Sequence, residues 1–123
     1  MKIIKKRRKF VVGKKRDITL TDVGHIFLND NENITLKSSK KKEYDICKKN
    51  WGYYGTPSLN KRLMKYGFLG ALTKNTIYKT YGLMIVEKNK KKKFLKYLKN
   101  QDMILICWLT NSNLEKIKKI FKK

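Results

Sequence analysis

The chain has 123 residues, with 32 Lys and Arg against 9 Asp and Glu, a formal net charge of +23 at pH 7. Self-repulsion of that size opposes compaction of an isolated domain, so the composition calls for a polyanionic partner, a phosphate polymer before any other. Its 41% hydrophobic content excludes a disordered chain, no apolar run reaches the roughly 18 residues of a membrane span, and two cysteines are too few for a disulfide framework or zinc cluster.

Residues 2–16 hold nine Lys and Arg and no acid. They are expected to form a basic N-terminal arm over residues 1–16, either a targeting segment or an extension that orders only on nucleic acid. A single α+β domain over residues 17–123 should follow. In the arm, Lys5, Lys6, Arg7, Arg8 and Lys9, then Lys14, Lys15 and Arg16, are the candidate RNA contacts. Beyond it, Ile18, Leu20 and residues 25–28 alternate imperfectly with polar residues, and a turn at 29–33 leads to an apolar stretch at 34–36, which predicts a β-hairpin. Residues 44–48 read as a strand with Tyr44 and Ile46 on one face and Cys47 on the other.

Residues 51–68 read W-G-Y-Y-G-T-P-S-L-N-K-R-L-M-K-Y-G-F. Thr56 before Pro57 predicts a helix cap followed by a residue shaped for the first turn, and Gly67 predicts the stop. Leu59 and Leu63 would face inward, leaving Lys61, Arg62 and Lys65 outward as candidate phosphate contacts. Trp51 reads as a hydrophobic staple for this helix. Tyr53 and Tyr54, beside Lys48 and Lys49, read as rings that stack on bases next to cations that meet phosphate.

Strands are expected at 68–73 and 78–87 around a turn at 74–76, then a helix at 89–100 through Phe94, Leu95 and Leu98. Residues 103–109 are unbroken apolar and predict a strand buried on both sides. S-N-L-E from Ser112 predicts a capping box with Glu115, opening a last helix whose stripe is Leu114, Ile117, Ile120 and Phe121. Its basic side offers Lys119 and Lys122 as further RNA contacts. Additional basic runs fall at 37–42, 88–99 and 116–123.

From residue 44 onward the order is strand, helix, strand, strand, helix, strand. That is the order of a ferredoxin-like split βαβ core, so the expected fold class is α+β, with an N-terminal β-hairpin and a C-terminal helix added to it. Lys79, Tyr81, Gly82 and Leu83 echo the third strand of single-strand RNA readers, yet Leu83 and Val86 lack the rings that stacking needs, and Tyr81 reads as sheet packing. The single histidine, His25, has no partner at catalytic spacing, and Cys47 and Cys107 read as packing residues. Asp17, Asp22 and Asp30 do not make a metal site. No enzymatic activity, metal or cofactor is expected.

The W-G-Y-Y-G-T-P-S-L-N-K-R-L block, together with L-M-I-V-E-K from Leu83 and I-C-W-L from Ile106, resembles a small uncharacterised family of alphaproteobacterial proteins. The matching frame runs over residues 17–109, and the family supplies no activity or catalytic residues. Its members are less basic and lack the arm, so the resemblance implies a bacterial core with added cationic patches, as in a mitochondrial protein recruited to an RNA-rich assembly. The expected function is that of a structural RNA-binding protein of a mitochondrial ribosome, placed in the matrix. Its partners would be ribosomal RNA and neighbouring ribosomal proteins, with no small-molecule substrate and no transmembrane segment. The alternative is a non-catalytic accessory subunit of a membrane-associated organellar complex, its cations meeting lipid head groups or acidic proteins; the alternative location to the matrix is another organelle or the cytoplasm.

Overall fold

Short runs of β-branched and aromatic residues separated by turn signals favour strands. The computed structural model, which describes residues 1–122, is accordingly 50% strand and 23% helix. Lys123, the last cation of the 116–123 run, lies outside the described residues. The order is β1 (Lys2–Val12), β2 (Ile18–Phe27), β3 (Asn33–Ser39), β4 (Lys42–Lys49), β5 (Gly52–Gly55), α1 (Arg62–Lys65), β6 (Phe68–Asn75), β7 (Tyr81–Glu87), a 3₁₀ turn at Lys88–Lys90, α2 (Lys91–Asn100), β8 (Met103–Trp108) and α3 (Asn111–Phe121). The strands form three sheets, ordered β1-β2, β3-β4-β5 and β7-β6-β8. By contact the chain divides into two units: Met1–Leu36 with Tyr44–Thr56, and Lys37–Glu43 with the chain from Pro57 onward.

This architecture overturns the ferredoxin-like core. In that fold the strand at 44–48 would lie in the same sheet as the last strand; here it is β4, held between β3 and β5. β8 instead pairs antiparallel with β6, as β7 does on the other side. A split βαβ arrangement needs a parallel pair joined by a crossover of a dozen or more residues. The segment meant to supply it, residues 49–67, holds a further strand, β5, and only the four helical residues of α1.

That shortening has a local cause. Pro57 is buried rather than leading a helix, and the Ser58 carbonyl accepts from both Lys61 and Leu63 N–H groups. Ser58 Oγ accepts from the Arg62 N–H at 3.1 Å, so helical geometry begins five residues later than Thr56-Pro57 predicts. Gly67, at φ 86, stops it after one turn.

In the second unit β6 runs through the core. Leu69, Ala71 and Thr73 are buried on one face of the sheet, alongside Val86, and α2 packs on β7 and β8. Leu98 of α2 is 2% exposed, and Phe94 meets Trp108 with ring centroids 5.6 Å apart. On the opposite face Gly70 admits a close approach: a side chain there would meet Leu109 Cδ1 at 3.1 Å and Leu59 Cδ2 at 3.2 Å. Leu63 of α1 is fully buried.

β8 is not buried on both sides. Its residues alternate, with Ile104 and Ile106 about half exposed, because α2 covers one face only. The register slips between Leu72 and Thr73, which leaves Ile106 as the extra residue of a β-bulge. α3 is capped by Thr110, whose Oγ1 accepts from the Asn113 N–H at 3.3 Å, two residues before the predicted Ser112. Its expected inner stripe is half-buried at Leu114 and Ile117 but open at Ile120 and Phe121.

In the first unit, the stretch expected to be an unstructured arm carries β1, paired antiparallel with β2 from Lys2↔Phe27 to Val12↔Ile18. The predicted hairpin between 18–28 and 34–36 is therefore replaced by two pairings, β1 with β2 and β3 with β4. The physical reason is the turn at 13–17, where Gly13 at φ 97 and the Arg16 N–H to Gly13 carbonyl bond of 3.0 Å reverse the chain.

Candidate nucleic-acid interface

The β1–β2 ribbon carries nine Lys and Arg in its first strand and turn. Every residue of β1 except Val12 is exposed. The register shift between Lys5 and Arg8 sets Lys6 and Arg7 opposite Val23, a bulge that reverses the alternation of β1. Cross-strand pairing then places Lys5 and Arg8 on one face with Ile3, Phe10, Ile26 and Leu20. Lys2 and Lys9 share the other face with Ile4, Val11, His25 and Phe27. The Arg8 guanidinium carbon lies 5.3 Å from the Phe10 ring centre, a cation–π contact along one face. Lys14, Lys15 and Arg16 crown the turn and are exposed.

The bulge depends on Gly24. At φ 147 it faces the Ile4 carbonyl so closely that any Cβ would clash with that oxygen. Its N–H donates to Asp22 Oδ1 at 3.1 Å. At the outer end of the ribbon the Met1 ammonium pairs with Glu32 at 3.1 Å. Glu32 also accepts from the Asn29 N–H at 2.7 Å, and this bond first, then the ammonium, holds its carboxyl below the ordinary 4.5.

The β4–β5 hairpin carries the predicted ring-and-cation cluster. Lys48 faces Tyr53, and Cys47 faces Tyr54. Lys48 Nζ pairs with Asp30 Oδ1 at 2.7 Å, which offsets its charge, while Lys49 Nζ donates to the neutral Asn31 Oδ1 at 2.8 Å. Trp51 is no staple for a following helix: it is 68% exposed at the turn, its ring 5.8 Å from that of Tyr54. Tyr44, half-buried against Gly55, has its phenol pushed above 10 by desolvation.

In the second unit Lys61, Arg62 and Lys65 are exposed about α1, with the Arg62 guanidinium 5.9 Å from the Tyr66 ring. Lys119 and Lys122 are exposed at the end of α3. Sequence reasoning left the outer face of α2 out of the contact set. Lys92, Lys96 and Lys99 fall on one exposed stripe, opposite Phe94 and Leu98. Their i, i+4, i+7 spacing within the 88–99 run was the available signal. Lys90 is engaged by Glu87 at 3.0 Å and Lys91 lies 5.4 Å from the Trp108 ring. His25 is exposed on β2, and Cys47 and Cys107 are free thiols in separate units. Among the described residues no helix is long and apolar enough to cross a membrane.

Comparison of the chain with protein-family models, curated proteins and solved structures finds no match.

Proposed function

We propose that the chain is a structural RNA-binding protein, without catalytic activity, that neutralises the phosphate backbone of folded RNA in the manner of a mitochondrial ribosomal subunit. One observation carries the reading: a two-stranded ribbon with cations on both faces and at its turn, and with exposed apolar side chains on both. An isolated two-stranded ribbon is marginally stable in water, and the mutual repulsion of its cations weakens it further. Folded RNA surrounds such an element from two sides, supplying counter-charge and covering its apolar surface together. An anionic membrane meets only one face, which is why the ribbon favours RNA over the membrane-associated reading.

Binding of this kind is driven by counterion release and is largely independent of sequence. Neutralising about 6 phosphates gives a salt slope near −4 to −5 in logarithmic units, or about a 250- to 1000-fold loss of affinity between about 50 and about 200 mM salt. The test is filter binding of the purified chain to a structured ribosomal RNA fragment across that range. An affinity that does not move with salt rejects the proposal, as does tight salt-sensitive binding to anionic vesicles with none to RNA.

A further inference from the structure

The tip of the β4–β5 hairpin has a chemistry that backbone neutralisation does not use. Lys49 pairs with Gly52, so only Asn50 and Trp51 form the connecting turn, and Gly52 at φ 141 permits the reversal. Three rings sit within four residues there: Trp51 is 68% exposed, Tyr53 65% and Tyr54 41%. Trp51 and Tyr54 are stacked, with an interplanar angle of 27°. Stacking on Tyr54 occupies one side of the indole at most, and the exposure of Trp51 leaves ring surface open to solvent. A Trp so placed contributes little to any core, since its large apolar surface stays in water.

Charge is arranged beside the rings. Alternation along β4 puts Lys49 on the same hairpin face as Cys47, and therefore as Tyr54 across from it. The Lys49 ammonium is positioned by the neutral Asn31 amide at 2.8 Å, so its position is held while its charge is kept. A preformed ring pair with a held cation on the same hairpin face offers the two contacts of one repeating unit of a single strand: a base to stack and a phosphate to neutralise.

We propose that Trp51 and Tyr54 form a stacking platform for an unpaired nucleobase of single-stranded RNA, with Lys49 meeting the adjoining phosphate. The inference rests on the RNA-binding reading above and extends it from backbone to base. It selects unpaired loops, bulges or ends, because a base within a duplex has no free ring face.

The experiment uses the full chain in two forms. The chain has two tryptophans, so Trp108→Phe leaves Trp51 as the only indole. Its emission is followed while an eight-nucleotide single-stranded RNA, and separately an RNA duplex of equal phosphate number, is added at low salt. Quenching by the single strand, with little change on duplex binding, is the expected result. In parallel, Trp51→Ala and Tyr54→Ala in the otherwise unaltered chain are expected to weaken single-strand binding by about 5- to 100-fold and leave duplex affinity unchanged, following the usual worth of a stacked base. Trp51→Phe should retain part of the affinity. If the single strand binds without quenching, or the alanine variants weaken both RNAs alike, the platform is rejected while the RNA-binding reading stands. If neither RNA binds, the RNA-binding reading itself falls.

Discussion

The two units use the same residue classes to opposite ends. Among the described residues, Leu63, Phe68, Leu69, Ala71, Val86, Leu98 and Leu109 are buried in the second unit, and in the first only Cys47 is a buried hydrophobic. The ribbon is hardly poor in apolar residues: Ile3, Phe10, Leu20, Val23, Ile26 and Phe27 are all there, and all exposed. The difference is a second layer. β6 lies between two strands with α2 packed over one face, whereas β1 is exposed at every position but Val12 and most of β2 is exposed as well. The second unit closes its own core, while the first leaves apolar side chains exposed between cations.

The sharpest way to break this contrast is to remove a side chain from each unit. Leu98→Ala is expected to lower the unfolding free energy by about 2 to 5 kcal/mol, the transfer loss plus an unfilled cavity. Val23→Ala, at a ribbon position 64% exposed, should change it by less than about 0.5 kcal/mol. Chemical denaturation followed by far-ultraviolet circular dichroism, which reports the strands of both units, measures both. Equal losses at the two positions would mean that the ribbon has a core of its own.

Binding should show the reverse ranking. Replacing Arg7, Arg8 and Lys9 together with alanine is expected to make the salt slope of RNA binding shallower by about 2 to 3 and to weaken affinity about tenfold to hundredfold at low salt, with the unfolding curve unmoved. The matched triple Lys92, Lys96 and Lys99 to alanine on α2 sharpens the comparison. If the α2 triple loses as much as the ribbon triple, the second unit is an RNA surface as well as a scaffold.

What the sequence disclosed follows the same divide. Elements whose signal is local were legible: β6, β7, α2, β8 and α3 lie close to where apolar periodicity puts them, and Gly67 stops α1 as expected. What failed were questions of partnership. Nothing in residues 44–48 says whether they pair with β8 or with β5, because a strand's apolar pattern records which face is buried and not who lies beside it. The N-terminal run looked like an arm because its charge masked the Ile3–Ile4 and Phe10–Val12 apolar steps that pair with β2. For the candidate site, the basic residues were all visible as runs, but the exposure of Trp51 was not, since a Trp before a helix reads equally well as packing.

A smaller effect probes how the ribbon keeps its register. Gly24→Ala would bring a methyl group against the Ile4 carbonyl at a φ of 147, where side chains are strained. The bulge must then shift, at about 1 to 3 kcal/mol. Hydrogen exchange of the β1 and β2 amides should speed up about 5- to 150-fold, with the β6 amides unchanged. Acceleration spread over both units would show that they unfold together and that the division between scaffold and ribbon is not energetic.

The smallest effect concerns the outer end of the ribbon. Glu32 receives the Asn29 N–H at 2.7 Å and the Met1 ammonium at 3.1 Å, and both favour its ionised form. Its carboxyl is thereby held below 4.5. A depressed folded-state value means that the tie is complete above the ordinary carboxylate range and is lost as pH falls through the lowered one. At neutral pH this tie adds to the β2 pairing at the first residues of β1, and in acid it is expected to loosen while that pairing remains. Carbon-detected NMR titration should place the Glu32 midpoint below 4.5, and Glu32→Gln should abolish the acid-dependent rise in exchange at Lys2 and Ile3. A midpoint at or above the ordinary value would mean that the carboxylate anchors nothing, leaving the pairing with β2 to hold the strand end alone.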